Sequence, residues 1–184
     1  MKKMHSFILA CVGVASIASY STAYAGNRAN TATLTLGAGY EYFTDKRKIQ
    51  NTSMPMVMLG YNFTRNWGAE ALLGIFNTNF KSSANDSRQV NGTLFALDAM
   101  YHFTPFCNCD VFEPFILAGA GVTGLNPNRQ DGHNEGNINA AIGTQIFIDK
   151  SIAFRIEARD FYTWVGGKND YMFDAGVTFL LDIC

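Results

Sequence analysis

SIAFRIEARDFYTW, residues 151–164, is the stretch whose reading decides the fold. Ile152, Phe154, Ile156 and Ala158 fall on one side of an extended backbone, and Arg155, Glu157 and Arg159 fall on the other. Alternation with a period of two marks a strand with unlike faces, because successive side chains leave opposite sides of the pleat. In a soluble sheet the charged face would meet water and the apolar face a core. In a membrane barrel the apolar face meets lipid and the charged face lines the inside. The rest of the sequence chooses between these two environments.

The same alternation recurs in segments 33–43, 56–63, 67–76, 93–103, 112–122, 138–148 and 173–183, which with 151–164 makes eight strands, an even number. The intervening stretches alternate in kind. On one side lie the tight 64–66 and 149–151 and the moderate 104–111; on the other lie the longer, polar 44–53, 77–89, 123–137 and 163–170. Transmembrane barrels have this asymmetry of short periplasmic turns and longer external loops. Aromatic residues gather near strand ends (Tyr40, Tyr42, Tyr61, Phe63, Trp67, Tyr101, Phe103, Tyr162, Trp164), as bilayer interfaces require. A soluble barrel of lipocalin type would carry lysines on its outer face, and these eight segments contain none. The expected fold is therefore all-β: an eight-stranded antiparallel transmembrane up-and-down β-barrel, preceded by a cleavable signal peptide.

That leader is MKKMHSFILACVGVASIASYSTAYA, residues 1–25. Lys2 and Lys3 supply the basic start, Phe7 to Ile17 the apolar stretch, and Ala23-Tyr24-Ala25 the small-x-small cleavage pattern. Residues 26–184 are then the barrel domain. Loss of Lys2 and Lys3 takes the formal charge from −1 to −3, and no basic stripe speaks for nucleic acid.

Inside an eight-stranded barrel there is room for side chains and little else. The inward series offers Glu70, Asp98, Arg155, Glu157 and Arg159 as a charge network, with glycines making space for the long arginines. Opposite charges there are expected to satisfy one another; the functional alternative is a salt-bridge gate. His102 is expected inside, near the periplasmic end of the fourth strand, and His133 in the third loop, where it lacks companion metal ligands. No cofactor or metal set emerges. Cys107, Cys109 and Cys184 share the periplasmic side, and a disulfide between the turn and the C-terminus is one expectation for them.

Taken in order, GAGYEYF (37–43), LGYNFTRNWGAEALLG (59–74), LDAMYHFTP (97–105), PFILAGAGVTG (114–124), AAIGTQIFI (140–148) and FRIEARDFY (154–162) resemble the OmpA-like outer-membrane barrel domain. The resemblance runs from about Thr33 to Ile183. It implies a monomeric barrel in the bacterial outer membrane with a charge-bridged interior, in which the third-strand glutamate corresponds to Glu70 and the seventh-strand arginine to Arg155 or Arg159. Two departures stand out. Asp98 lies where the family's interior often holds a basic residue, and Leu181-Asp182-Ile183-Cys184 lacks the usual terminal aromatic, with Phe179 as its nearest substitute. The chain stops at the last strand, so the peptidoglycan-binding domain attached in many members is not expected.

The function expected from the sequence is a non-enzymatic surface protein. It is surrounded by outer-membrane lipid and lipopolysaccharide, and its loops are available for adhesion or contact with host or surface ligands. The alternative is a narrow, low-conductance porin gated by the interior salt bridges. A third reading, a lipid A-modifying enzyme, lacks a base and nucleophile close together at the outer rim.

Overall fold

A computed structural model describes residues 26–81, 89–103, 111–127 and 132–183. Eight strands follow one another: β1 (Thr31–Tyr42), β2 (Thr52–Asn62), β3 (Trp67–Asn79), β4 (Gln89–His102), β5 (Phe112–Pro127), β6 (His133–Asp149), β7 (Ile152–Thr163) and β8 (Lys168–Asp182). Each pairs antiparallel with the next, and β1 pairs with β8, so the sheet closes into a barrel. Closure satisfies every edge, which is what allows a sheet to stand in lipid.

Exposure settles which face is which. Ile142 is 65% exposed while Arg155 is 1% exposed, the reverse of a soluble barrel. Leu59, Leu73, Leu97, Ile75 and Phe173 extend the exposed apolar belt around the wall. Edge-to-face aromatic contacts rim both ends of that belt. Trp67, Tyr101 and Phe103 form one chain at the periplasmic rim, with ring centroids 4.9 and 5.1 Å apart; Tyr40 and Tyr42 pack at 4.9 Å on the extracellular rim.

The strands are longer than the apolar alternation foretells, and the excess lies at one end. β5 and β6 have 16 and 17 residues, against the about 9–11 that a tilted strand needs to cross a bilayer. Strand continues into the expected loops: through 77–79 and 89 of the second, through 123–127 and 133–137 of the third, and through 168–170 of the fourth. Asn77, Asn79, Gln89, Asn91, Asn126 and Asn134 are exposed there. Beyond the lipid the ladder of backbone hydrogen bonds continues, but the outward positions meet water and become polar, so the periodic signal stops before the strand does. The fourth loop is corrected most: it is the four-residue turn 164–167, which Gly166 and Gly167 close at φ of 81° and 54°, backbone angles that favour glycine. His133 opens β6 rather than lying in a loop.

Candidate functional site

The lumen is filled along its length, in four successive levels. At the centre lies the ionic level. Arg155 Nη1 and Nη2 donate to the two carboxylate oxygens of Glu70 at 2.5 and 2.9 Å, a bidentate pair, and Nη2 also donates to Glu157 Oε2 at 2.5 Å. Arg159 Nε donates to Glu157 Oε1 at 2.6 Å, and Nη1 donates to Asp98 Oδ2 at 2.7 Å. Register explains how β3, β4 and β7 converge. Glu70 pairs directly with Asp98 across β3–β4, while Arg155, Glu157 and Arg159 stand at alternate positions of a single strand. All five are buried. Glycine makes the room: a Cβ on Gly119 would run into the Leu97 carbonyl oxygen and the Asp98 carboxylate. The Phe115 ring lies under the Arg155 guanidinium, 4.6 Å from its carbon to the ring centroid.

Asp174 of β8 joins this level as a fourth carboxylate, in register with Glu157, and its Oδ2 has no hydrogen-bond partner among the described residues. It stands on the charged side of the 173–183 alternation, so its inward position was legible even though it was not in the expected network.

Above the charges, toward the outside, the lumen is mixed: Glu41 of β1, Thr123 of β5 and Asn137 and Asn139 of β6 are buried there, and the rest is apolar. Met54, Met56 and Met58 of β2, Leu72 and Phe76 of β3, Val90, Leu94 and Ala96 of β4, Phe161 of β7 and Met172 of β8 form one buried cluster. Methionine suits such a space, because its unbranched chain fills irregular gaps between curved walls. β1 contributes Gly39 there, whose missing Cβ leaves the gap filled by Met56 and Met172.

The extracellular mouth is capped by the β1–β2 connection. A short 3-10 helix, Asp45–Arg47, tucks Arg47 into the mouth. Its Nε donates to Asp170 Oδ2 at 2.6 Å, its Nη1 to Glu135 Oε2 at 2.6 Å and its Nη2 to Thr163 Oγ1 at 3.1 Å, tying the connection to β8, β6 and β7. Lys168 reinforces Glu135 at 2.5 Å, while exposed His133 approaches the same carboxylate at 3.4 Å. Phe43 and Ile49 continue the apolar cluster upward into this cap. On the outer surface Lys81 donates to Asp45 at 2.7 Å, and that hydrogen bond, together with the ammonium charge, holds the Asp45 carboxyl below its usual range. Nothing in the sequence marks Arg47 as a buried residue, since it stands in an irregular segment with no periodicity to assign it a face.

At the periplasmic mouth His102 Nδ1 lies 3.1 Å from Glu113 Oε1, both side chains being buried. The segment just before β1 closes over them: Asn27 donates its backbone N–H to Glu113 Oε2 at 2.9 Å and its side-chain amide to the Arg65 carbonyl at 2.9 Å, and it accepts from Asn62. Cys107, Cys109 and Cys184 lie outside the described residues. Among the described residues no group of three or more His, Cys, Asp or Glu side chains is placed to hold a metal ion.

The outer membrane protein beta-barrel domain model matches residues 7–179. No curated protein matches the sequence. Solved structures share the fold at low identity. The N-terminal β-barrel domain of Pseudomonas aeruginosa OprF aligns with a TM-score of 0.61 at 18% identity, over 83% of this chain and 98% of that one. OprG of the same organism aligns at 0.64 and 11%, over 86% and 99%. Ail of Yersinia pestis, solved in complex with the heparin analogue sucrose octasulfate, aligns at 0.57 and 15%, over 83% and 99%.

Proposed function

Since this chain belongs to the outer membrane protein beta-barrel domain family, an outer-membrane location is its premise, and we propose that it works there as a closed, non-enzymatic anchor that displays its extracellular face. The observation that carries this reading is the lumen itself. A cap, a methionine-rich level, an ionic level and a periplasmic closure succeed one another, each built from side chains of several strands. The charges act as mutual partners that hold the wall of the barrel together. Residues 1–25 direct export and are then removed, and the barrel stands as a monomer among outer-membrane lipid and lipopolysaccharide.

The displayed surface is where partners would bind. Lys46, Lys48 and Lys81 stand on the outward side of the cap region, and Lys48 and Lys81 are joined through a backbone hydrogen bond of 2.6 Å. Asp45 offsets one of these charges through its ion pair with Lys81, and the net positive face that remains suits an anionic surface ligand, the chemistry that Ail meets in its complex with a heparin analogue.

Conductance tests the proposal. The mature chain, refolded and inserted into a planar bilayer, is expected to give no discrete openings while showing heat-modifiable migration on a gel. Regular openings from the folded wild-type protein would instead make it a narrow porin with the ionic level as its gate.

A further inference from the structure

Along β7 the lipid-facing series Ile152, Phe154, Ile156 and Ala158 is interrupted at Asp160, a carboxylate on the outer wall. Asp160 stands between Ala140 of β6 and Tyr171 of β8; one outward step below, Ala158 stands between Ile142 and Phe173. These six side chains shape a shallow cavity of about 350 Å³ open to the outside. Its small residues form a channel along β7, and Ile142, Tyr171 and Phe173 form its banks. One outward step above Asp160 is Tyr162 of the extracellular aromatic rim, so at roughly 3.3 Å per residue the carboxylate lies about 7 Å along the strand from that rim residue. It therefore sits at the edge of the lipid belt, where headgroups give way to chains.

Asp160 takes no hydrogen bond from any described residue: its Oδ1 is shielded by the wall itself, and the half-buried carboxylate opens to the recess through Oδ2. An acceptor at the edge of the lipid belt without a donor is costly, and no described side chain of the wall supplies one. What meets this wall is the bilayer. An acyl chain fits the alanine-floored channel, and a donor at the junction of head and chain would reach the carboxylate.

We infer that this cavity is a binding site for one lipid of the surrounding outer leaflet, whose acyl chain lies over Ala158 between Ile142 and Phe173 and whose hydroxyl or amide N–H donates to Asp160. The site combines a recess with an unmet acceptor. It would therefore hold a lipid with a donor at that depth more tightly than one without.

The full mature protein, labelled with ¹³C at alanine methyls and reconstituted in phosphatidylcholine nanodiscs, tests this, because that host lipid has no hydrogen-bond donor. N-tetradecanoyl ethanolamine, with an amide N–H and a hydroxyl, is titrated against methyl tetradecanoate, with the same chain and neither donor. The Ala140 and Ala158 resonances are expected to shift saturably with the amide, half-saturating at a concentration at least fivefold lower than with the ester. Ala69 and Ala99, a lipid-facing pair on the β3–β4 wall, are expected to stay in place. Asp160→Ala should bring the amide to the ester's half-saturation, and Ala158→Leu, which fills the channel, should remove saturable shifts at Ala140 for both. Heat-modifiable migration checks that each variant is folded. Equal half-saturation of amide and ester in the wild type, an unchanged preference in Asp160→Ala, or parallel movement of Ala69 and Ala99 would each overturn the inference.

Discussion

Arg155 divides its guanidinium between Glu70, which it holds bidentately, and Glu157, so its removal leaves Glu70 without its main donor and Glu157 with Arg159 alone. Deleting one partner of a buried ionic network costs about 3–5 kcal/mol, because the remaining charges stay desolvated. Arg155→Ala is expected to lose stability of that order in urea unfolding from lipid vesicles followed by tryptophan fluorescence. Adding Glu70→Gln should return part of the loss. Arg155→Lys is expected to rescue poorly, since an ammonium cannot reproduce the bidentate fork. Gly119→Ala tests the space rather than the charge: its methyl would have to displace the Leu97 carbonyl or Asp98, at about 1–3 kcal/mol in the same assay. Glu70, Asp98, Arg155, Glu157 and Arg159 could be read from the sequence as inward-facing, because alternation assigns a face to every residue of a strand. Which carboxylate each arginine takes could not, since that depends on shear and register between strands far apart in the chain.

Strands were legible only as far as the bilayer enforces alternation. The eight were all visible, and so were the two tight turns, expected at 64–66 and 149–151 and found at 63–66 and 150–151, that fix neighbours as antiparallel. The extracellular extensions were not, because outward residues such as Asn77, Asn91 and Asn134 are as polar as those of a loop. The cap was less legible still: Asp45–Arg47 is a single short turn with two local backbone hydrogen bonds and no side-chain cap, and tertiary contacts fix its place over the mouth. This makes Arg47 the residue on which the cap depends. Hydrogen bonds to charged groups contribute about 1.5–3 kcal/mol each, so losing Arg47's set should raise local opening of residues 43–51 by roughly tenfold or more. Arg47→Ala is expected to speed trypsin cleavage at Lys46 and Lys48, and amide exchange across that connection, by such a factor. The urea midpoint of the barrel should move much less than in Arg155→Ala, because the cap lies outside the spanning ladder. Equal effects on both would mean that cap and wall unfold as one unit.

Between the cap and the periplasmic closure the molecule has two different seals in series, and this bears on whether the interior charges could gate a pore. An ionic level can rearrange by exchanging partners: Arg159 already lies 3.7 Å from Glu70 Oε1 while bonded to Glu157 and Asp98. The methionine-rich level above it closes by packing instead. Met54, Leu72, Leu94, Phe161 and Met172 fill most of the section, and although Glu41, Asn137 and Asn139 also line it, an ion would have to displace those packed side chains to pass. Breaking the charges alone should therefore leave the barrel closed. In planar bilayers Arg159→Ala and Glu70→Ala are each expected to remain silent, as is Phe161→Ala with Met172→Ala, in which the ionic level still stands. Only when Arg159→Ala, Phe161→Ala and Met172→Ala are combined with Arg47→Ala and His102→Ala, which thins every level from the cap to the periplasmic closure, are discrete openings expected. Heat-modifiable migration would show that the silent variants are folded. Openings from Arg159→Ala alone would mean that the ionic level is the only seal and that the methionine-rich level above it is permeable, which would restore the gated-porin reading.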